Sequence, residues 1–228
     1  MSDARVIDSR VPSVPFLPVA IVGVVHLVAI LLGMHELVVW TKPLLMPALA
    51  IGLVWAAPRF SGAVLLGLVA LLLSCAGDVT LRWFVIGLGC FLLAHVAYLV
   101  LFVRHLAVGR MPRWVFLYAV WFVVLLAILV PHTGSLVVPV VLYGAVLCTM
   151  AVVAARCGAV VAWGGALFVA SDSLLSVKLF LPEVHLPLAD FCIMATYTVA
   201  QTLIVIGLVR YERMRSSAQH PAVSQRAL

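Results

Sequence analysis

Gly164-Gly165-Ala166-Leu167-Phe168-Val169-Ala170-Ser171-Asp172-Ser173-Leu174-Leu175 is the stretch on which the reading of this chain turns, because it sets a carboxylic acid inside an apolar run. An earlier run, Ser74-Cys75-Ala76-Gly77-Asp78-Val79-Thr80-Leu81, does the same. Both belong to apolar segments of the length that crosses a bilayer, about 17 to 25 residues. An aspartate at a bilayer centre costs about 2.5 to 3.5 kcal/mol on the insertion scale, and such residues face the interior of a bundle. A helix with only a structural task would carry Leu instead, so Asp78 and Asp172 lead the candidates for chemistry.

Of the 228 residues, 66% are hydrophobic and 10% charged, against about 25% charged in soluble domains. The fold class expected is therefore all-α, a polytopic membrane helix bundle. The formal charge of +6 sits in short connections and near the ends, as in membrane proteins. No basic run interleaved with aromatics offers itself to nucleic acid. Cys75, Cys90, Cys148, Cys157 and Cys192 fall at no ligand spacing, which speaks against disulfides and metal alike. The first apolar segment follows Pro12, Pro15 and Pro18 with no small-residue cleavage site before Glu36, so it reads as a retained span.

Cutting at charges, Pro and Gly gives eight transmembrane helices, at 18–34, 37–56, 62–82, 83–103, 112–130, 136–155, 159–179 and 188–210. Residues 1–17 read as a polar N-terminal tail, 18–210 as one transmembrane domain, and 211–228 as a basic polar C-terminal tail. Arg5, Arg10, Arg59, Arg104, Arg110, Arg113, Arg156, Arg210, Arg213, Arg215 and Arg226 lie on the side of the N-terminus, and Arg82 and Lys178 lie opposite. That asymmetry predicts both termini in the cytoplasm. At about 1.5 Å per residue, Lys42 and Asp78 then fall roughly 6 to 8 Å below the outer end, Asp172 about 10 Å, and Tyr197 and His95 about 14 to 18 Å. Five spans thus place polar side chains between the outer interface and the midplane.

On helices, Ser74 lies one turn before Asp78, and Phe168 and Ser176 lie one turn either side of Asp172. Two acids in one pocket divide into a protonated donor and an ionised acceptor, which is the equipment of acid–base catalysis. The plainer alternative is a pair of structural acids pinning helices, or a proton relay. Lys42, in Trp40-Thr41-Lys42-Pro43-Leu44-Leu45-Met46-Pro47, is either a snorkelling anchor or a cation for one Asp or for a lipid phosphate. The two prolines would open backbone around it. His95 and Tyr98 share a helix face, as do Tyr197 and Gln201; each pair serves either interhelical hydrogen bonding or the lining of a pocket.

Missing motifs narrow the chemistry. No Gly-x-Ser-x-Gly elbow occurs, and His35-Glu36-Leu37-Val38-Val39 lacks the second His of a zinc-protease helix. No Gly-rich phosphate loop is present. Neither a metal nor an organic cofactor is expected.

Lys42-Pro43, Ser74 with Gly77-Asp78 and Leu81, Phe91, His95 and Tyr98 together resemble the YhhN family of multi-pass membrane proteins, the lysoplasmalogenases. Gly165-Ala166-Leu167-Phe168 leading to Ser171-Asp172, with Tyr197, Ala200, Gln201, Leu203 and Ile204, extends the likeness over spans two to eight. Thr198 stands where that family would carry a second Tyr. The resemblance implies hydrolysis of the vinyl ether bond of a lysophospholipid, releasing a fatty aldehyde and a glycerophospho-alcohol, in the cell membrane (the inner one in a bacterium). It implies Asp78 and Asp172 as catalytic acids. Lys42, Ser74, His95, Tyr98, Ser171, Tyr197 and Gln201 are the substrate-binding candidates. Two other readings remain at this stage: a diaspartyl intramembrane protease, whose acids would normally occupy adjacent spans, and a proton-coupled transporter using the Asp pair as a relay.

Overall fold

The computed structural model describes residues 11–219, and among these there is no strand. Nine helices follow one another: α1 (Leu17–Leu31), α2 (His35–Thr41), α3 (Leu45–Ala56), α4 (Gly62–Thr80), α5 (Phe84–Leu101), α6 (Phe116–Thr133), α7 (Val137–Ala154), α8 (Ala159–Phe180) and α9 (Ala189–Gln219). Their outward faces carry large apolar side chains such as Ile21, Trp55, Leu72 and Val123, the surface a lipid solvent requires.

Seven helical stretches are long and apolar enough to cross a membrane. The expectation of eight differs at one place. Residues Arg113–Ala154 form a single stretch of 42 residues, within which a short 3₁₀ turn at Gly134–Leu136 separates α6 from α7. Gly134 has φ 53° and ψ −126°, a conformation that suits a residue without Cβ. There α6 ends, and α7 packs back against it. Helices α6 and α7 are each 18 residues long.

The second expected span is broken by its prolines. Helix α2 ends at Thr41, Lys42–Leu44 form a 3₁₀ turn, and α3 begins at Leu45. Pro47 has no N–H with which to reach the carbonyl four residues back. That carbonyl, of Pro43, accepts the thiol of Cys75 on α4 at 3.4 Å instead, so the break that presents Lys42 is tied to the helix that carries Asp78.

Both expected tails are shorter than the sequence suggests. Val14–Phe16 form a 3₁₀ turn leading into α1, with Pro15 and Phe16 buried. At the other end α9 continues to Gln219, because no Gly or Pro interrupts residues 208–219 and Glu212, Arg213, Met214 and Arg215 are good helix formers. Glu212 there is wholly buried, 3.4 Å from Arg59 Nε, and Arg213 Nη2 donates to the Ala56 carbonyl at 3.2 Å. Residues 1–10 and 220–228, with Arg5, Arg10 and Arg226, lie outside the described residues.

Small residues set the centre. A Cβ on Gly164 would stand 2.8 Å from Ile204 Cγ1 and 3.0 Å from the Ala200 carbonyl oxygen; on Gly165 it would stand 2.9 Å from Ala154 Cβ. The adjacent glycines therefore let α8 approach α9 on one side and α7 on the other, the close packing that replaces the hydrophobic effect inside a membrane. Asp172 lies eight residues further along the helix that they seat.

Candidate active site

A cavity of about 330 Å³ lies among α1, α2, α4, α5, α7, α8 and α9, at the end of the bundle that holds the α8–α9 connection. Its volume is at the small end of ligand pockets, about 300 to 1,000 Å³. Asp78 and Asp172 both line it, although they come from α4 and α8.

The two carboxyl groups have unequal partners. Asp78 receives the hydroxyl of Tyr197 at 3.0 Å on Oδ2 and faces the ammonium of Lys42 at 3.4 Å from Oδ1. Its side chain is 4% exposed and that of Lys42 26%. Lys42 thus pairs with an acid rather than reaching for the interface. Asp172 accepts a hydrogen bond from Tyr143 on Oδ2 and has no lysine or arginine among its ion-pair partners in the described residues. Its other neighbour is His95, whose Nε2 lies 4.0 Å from Oδ2. That ring is fully buried, with no hydrogen bond at either nitrogen, and sits edge-on to Phe168 and Tyr143.

The remaining expected residues fall into two groups. Ser171 and Tyr197 line the cavity with Lys42, but the Ser171 hydroxyl bonds the Ile193 carbonyl at 3.1 Å and so joins α8 to α9. Tyr98, Gln201 and Ser74 lie beneath the cavity, all wholly buried. The Tyr98 hydroxyl donates to Gln201 Oε1, and Gln201 Nε2 donates to Ser74 Oγ at 3.0 Å. This chain clamps α5, α9 and α4 together. The hydroxyl of Ser176 bonds the backbone carbonyl of Ser173 rather than Asp172.

Two wall residues escaped the sequence reading. Tyr143 stands in Val140-Val141-Leu142-Tyr143-Gly144 without a polar neighbour one turn away, so no local pattern marks it. His26 on α1 shares its Nδ1 with Thr41 Oγ1 at 2.8 Å, and that hydroxyl donates in turn to the Leu37 carbonyl at 2.6 Å. Its proton committed, Thr41 can only accept from the ring; Nδ1 therefore carries the hydrogen and Nε2 is left as an unpartnered acceptor. A His and a Thr 15 residues apart give no sequence signal of this pairing. At the rim, Lys178 and Asp190 pair at 2.5 Å.

The sequence model of the YhhN family matches residues 37–208, which include Lys42, Asp78, Tyr143, Asp172 and Tyr197 but not His26. A curated relative from Rattus norvegicus, "Lysoplasmalogenase TMEM86B", is 33% identical over 145 residues, 62% of this chain and 60% of that protein. The Homo sapiens protein of the same name is 33% identical over 62% of each chain, and the Mus musculus one 32% identical over the same shares. The chain thus spans about three fifths of the length of these relatives. No solved structure matches it.

Proposed function

The chain belongs to the YhhN family, and from that premise we propose that it is a membrane-embedded hydrolase of the vinyl ether bond of lysoplasmalogens or a closely related lysolipid. The observation that carries the reading is the pair of cavity carboxyls with unequal partners, one held by an ammonium ion and one not. The Lys42 ammonium, 3.4 Å from Oδ1, is the countercharge that suits Asp78 to the anionic role. Asp172, buried without a countercharge, is suited to hold a proton, and we assign it the role of general acid.

The chemistry needs no nucleophilic side chain. The Asp172 carboxyl proton goes to the β-carbon of the vinyl ether, leaving an oxocarbenium ion beside the anionic Asp78, much as two carboxyls share the work in glycoside hydrolysis. Water adds to the α-carbon and returns a proton to the Asp172 carboxylate. The hemiacetal then collapses: its hydroxyl proton leaves, the ether oxygen takes one up, and the carbon–oxygen bond breaks. Vinyl ether and water have become a fatty aldehyde and a glycerophospho-alcohol, and Asp172 is protonated as at the start.

We also propose eight crossings with both termini in the cytoplasm, which puts the cavity rim at the outer face. Val184→Cys in a variant without the native cysteines should react with an impermeant thiol reagent on intact cells. Protection there with reaction at the termini would invert the orientation. The reaction itself is tested with purified protein in detergent micelles and a lysoplasmalogen: aldehyde release without any membrane gradient is expected. Its absence, with the protein folded, would remove the hydrolase reading and restore a transporter or protease.

A further inference from the structure

Three cavities adjoin one another along α8. The first is the polar cavity, which takes Ser171, Asp172, Leu175, Lys178 and Leu179 from this helix. Next comes a small apolar pocket of about 60 Å³ enclosed by α6, α7 and α8, which takes Val169, Asp172, Ser173 and Ser176. Last is an apolar groove on the outside of α6 and α8, which takes Ala166, Val169 and Ala170. Asp172 and Tyr143 are common to the first and second. Trp121 and Val169 are common to the second and third.

Going from one cavity to the next therefore moves down α8 from Lys178 to Ala166, about 18 Å at 1.5 Å per residue. Helix α6 gives the same direction: Leu129 and Leu125 line the inner pocket, Trp121 the boundary, and Leu117 the outer groove. Polarity falls along the way. The first cavity has Lys42, Lys178, Asp78 and Asp190 in its wall. The outer groove is walled by Trp, Leu, Tyr, Val and Ala.

We infer that this series is the seat of the substrate's hydrocarbon chain, with the polar head in the first cavity, the reacting bond at the shared Asp172–Tyr143 wall, and the chain leaving between α6 and α8 past Trp121. This rests on the hydrolase reading and deepens it. A vinyl ether lies at the junction of head and chain, so the group that protonates it must stand where a polar space meets an apolar one. Asp172 is the titratable carboxyl that stands there. The first cavity is too small to hold a long chain as well as the head. Helix α6 is the wall best able to move, since of its 18 residues only Leu129 and Thr133 are buried. Its latch to α8 is the hydrogen bond from Trp121 Nε1 to Ser173 Oγ at 2.9 Å.

Two measurements test this on the full chain. In the first, a saturated alkyl-ether lysophosphoethanolamine with a diazirine in mid-chain is photolysed on the protein and the labelled peptides are mapped. Labels are expected on α6, α7 and the 166–176 part of α8. Labels confined to α1, α2 and α9, or none, overturn the inference. Because the probe has no vinyl ether, this result is independent of whether hydrolysis occurs. In the second, Cys148→Phe and Leu125→Phe fill the inner pocket. Each should lower kcat/KM for a long-chain lysoplasmalogen at least tenfold more than for a short-chain one. An unchanged chain-length profile in either variant that folds, measured on active protein, overturns the inference and leaves the hydrolase reading intact.

Discussion

Helices α8 and α9 meet almost backbone to backbone, whereas α6 stands at the edge of the bundle with its apolar face open. Of the 18 residues of α6 only Leu129 and Thr133 are buried, while α7 buries Ala151 and Ala154 beside Gly165 of α8. The charged half of the site belongs to the tight region: Asp78 on α4 and Tyr197 on α9 hydrogen-bond between helices that the Gln201–Ser74 bond also joins. Tyr143 and the apolar pocket belong to the loose region. What the difference teaches is a division of labour. Ionised groups need a preorganised surround, since each must keep its partner at hydrogen-bond distance in a medium without water. A hydrocarbon chain needs only a surface that yields.

The largest effect expected is on the acids. Asp172→Asn keeps the shape of the group and removes its proton, and should lower kcat by about 10²- to 10⁴-fold, the usual worth of a general acid. Asp78→Asn should fall in the same range because it removes the charge that faces the oxocarbenium ion. The double variant should be little worse than the worse single, since the two act as a unit. Aldehyde release at saturating substrate measures this, with gel filtration to confirm folding. Near-normal turnover in either folded variant would make that Asp structural.

Next in size is a test of the tight region by itself. Gly164→Ala puts a methyl group 2.8 Å from Ile204 Cγ1 and 3.0 Å from the Ala200 carbonyl oxygen. Backbone cannot step aside as a side chain can, so α8 and α9 must separate, at about 1 to 3 kcal/mol for overpacking. Thermal unfolding in detergent should show the loss. An unchanged melting temperature would mean that these helices are not held as closely as the contrast requires.

How much of this was legible beforehand follows the same division. Spans are bounded by length and charge, which are properties of the sequence, and so the boundaries of α4, α5, α7 and α8 lie close to those read from composition. The acids were legible because a carboxyl in an apolar run is costly wherever it sits. Partners were not. Tyr98, Gln201 and Ser74 show as polar, but nothing local says that they bond to one another beneath the cavity rather than face it. Tyr143 lies 29 residues from Asp172, and a single Tyr in an apolar helix has no neighbour to betray it. Glu212 looked like part of a solvated basic tail because Arg210, Arg213 and Arg215 surround it; only the fold brings Arg59 to its side.

A smaller effect is expected from Lys42→Met, which separates the two tasks that the sequence left open for this residue. Since the ammonium faces Asp78 at 3.4 Å, its loss should act on the reacting step. We expect kcat to fall about tenfold, about 1.4 kcal/mol of barrier, with KM little changed. A raised KM with normal kcat would assign Lys42 to the lipid phosphate instead.

The smallest effect should come from the counterpart of the Gly164 test in the loose region, and here the comparison is most exposed. A Cβ on Gly144 of α7 would stand 2.8 Å from Phe122 Cε2 and 3.3 Å from Cδ2, as near as the contact at Gly164. Yet the obstacle is the far end of a ring on α6, a helix with little buried surface to hold it. The ring can turn aside, and α6 with it, at small cost. Against this, replacing Gly by Ala within a helix gains about 0.8 to 1.0 kcal/mol of intrinsic propensity. The two terms nearly cancel, so Gly144→Ala should leave the melting temperature within about 2 °C of wild type, the shift that roughly 0.5 kcal/mol produces in a chain of this size. Two glycines with equal nearest distances would then differ in consequence because of what stands opposite, a wholly buried Ile204 with the Ala200 carbonyl behind it in one case and a loosely held ring in the other. Equal destabilisation by the two substitutions would show that α6 is as firmly seated as α9, and would remove the compliance on which the path between α6 and α8 depends.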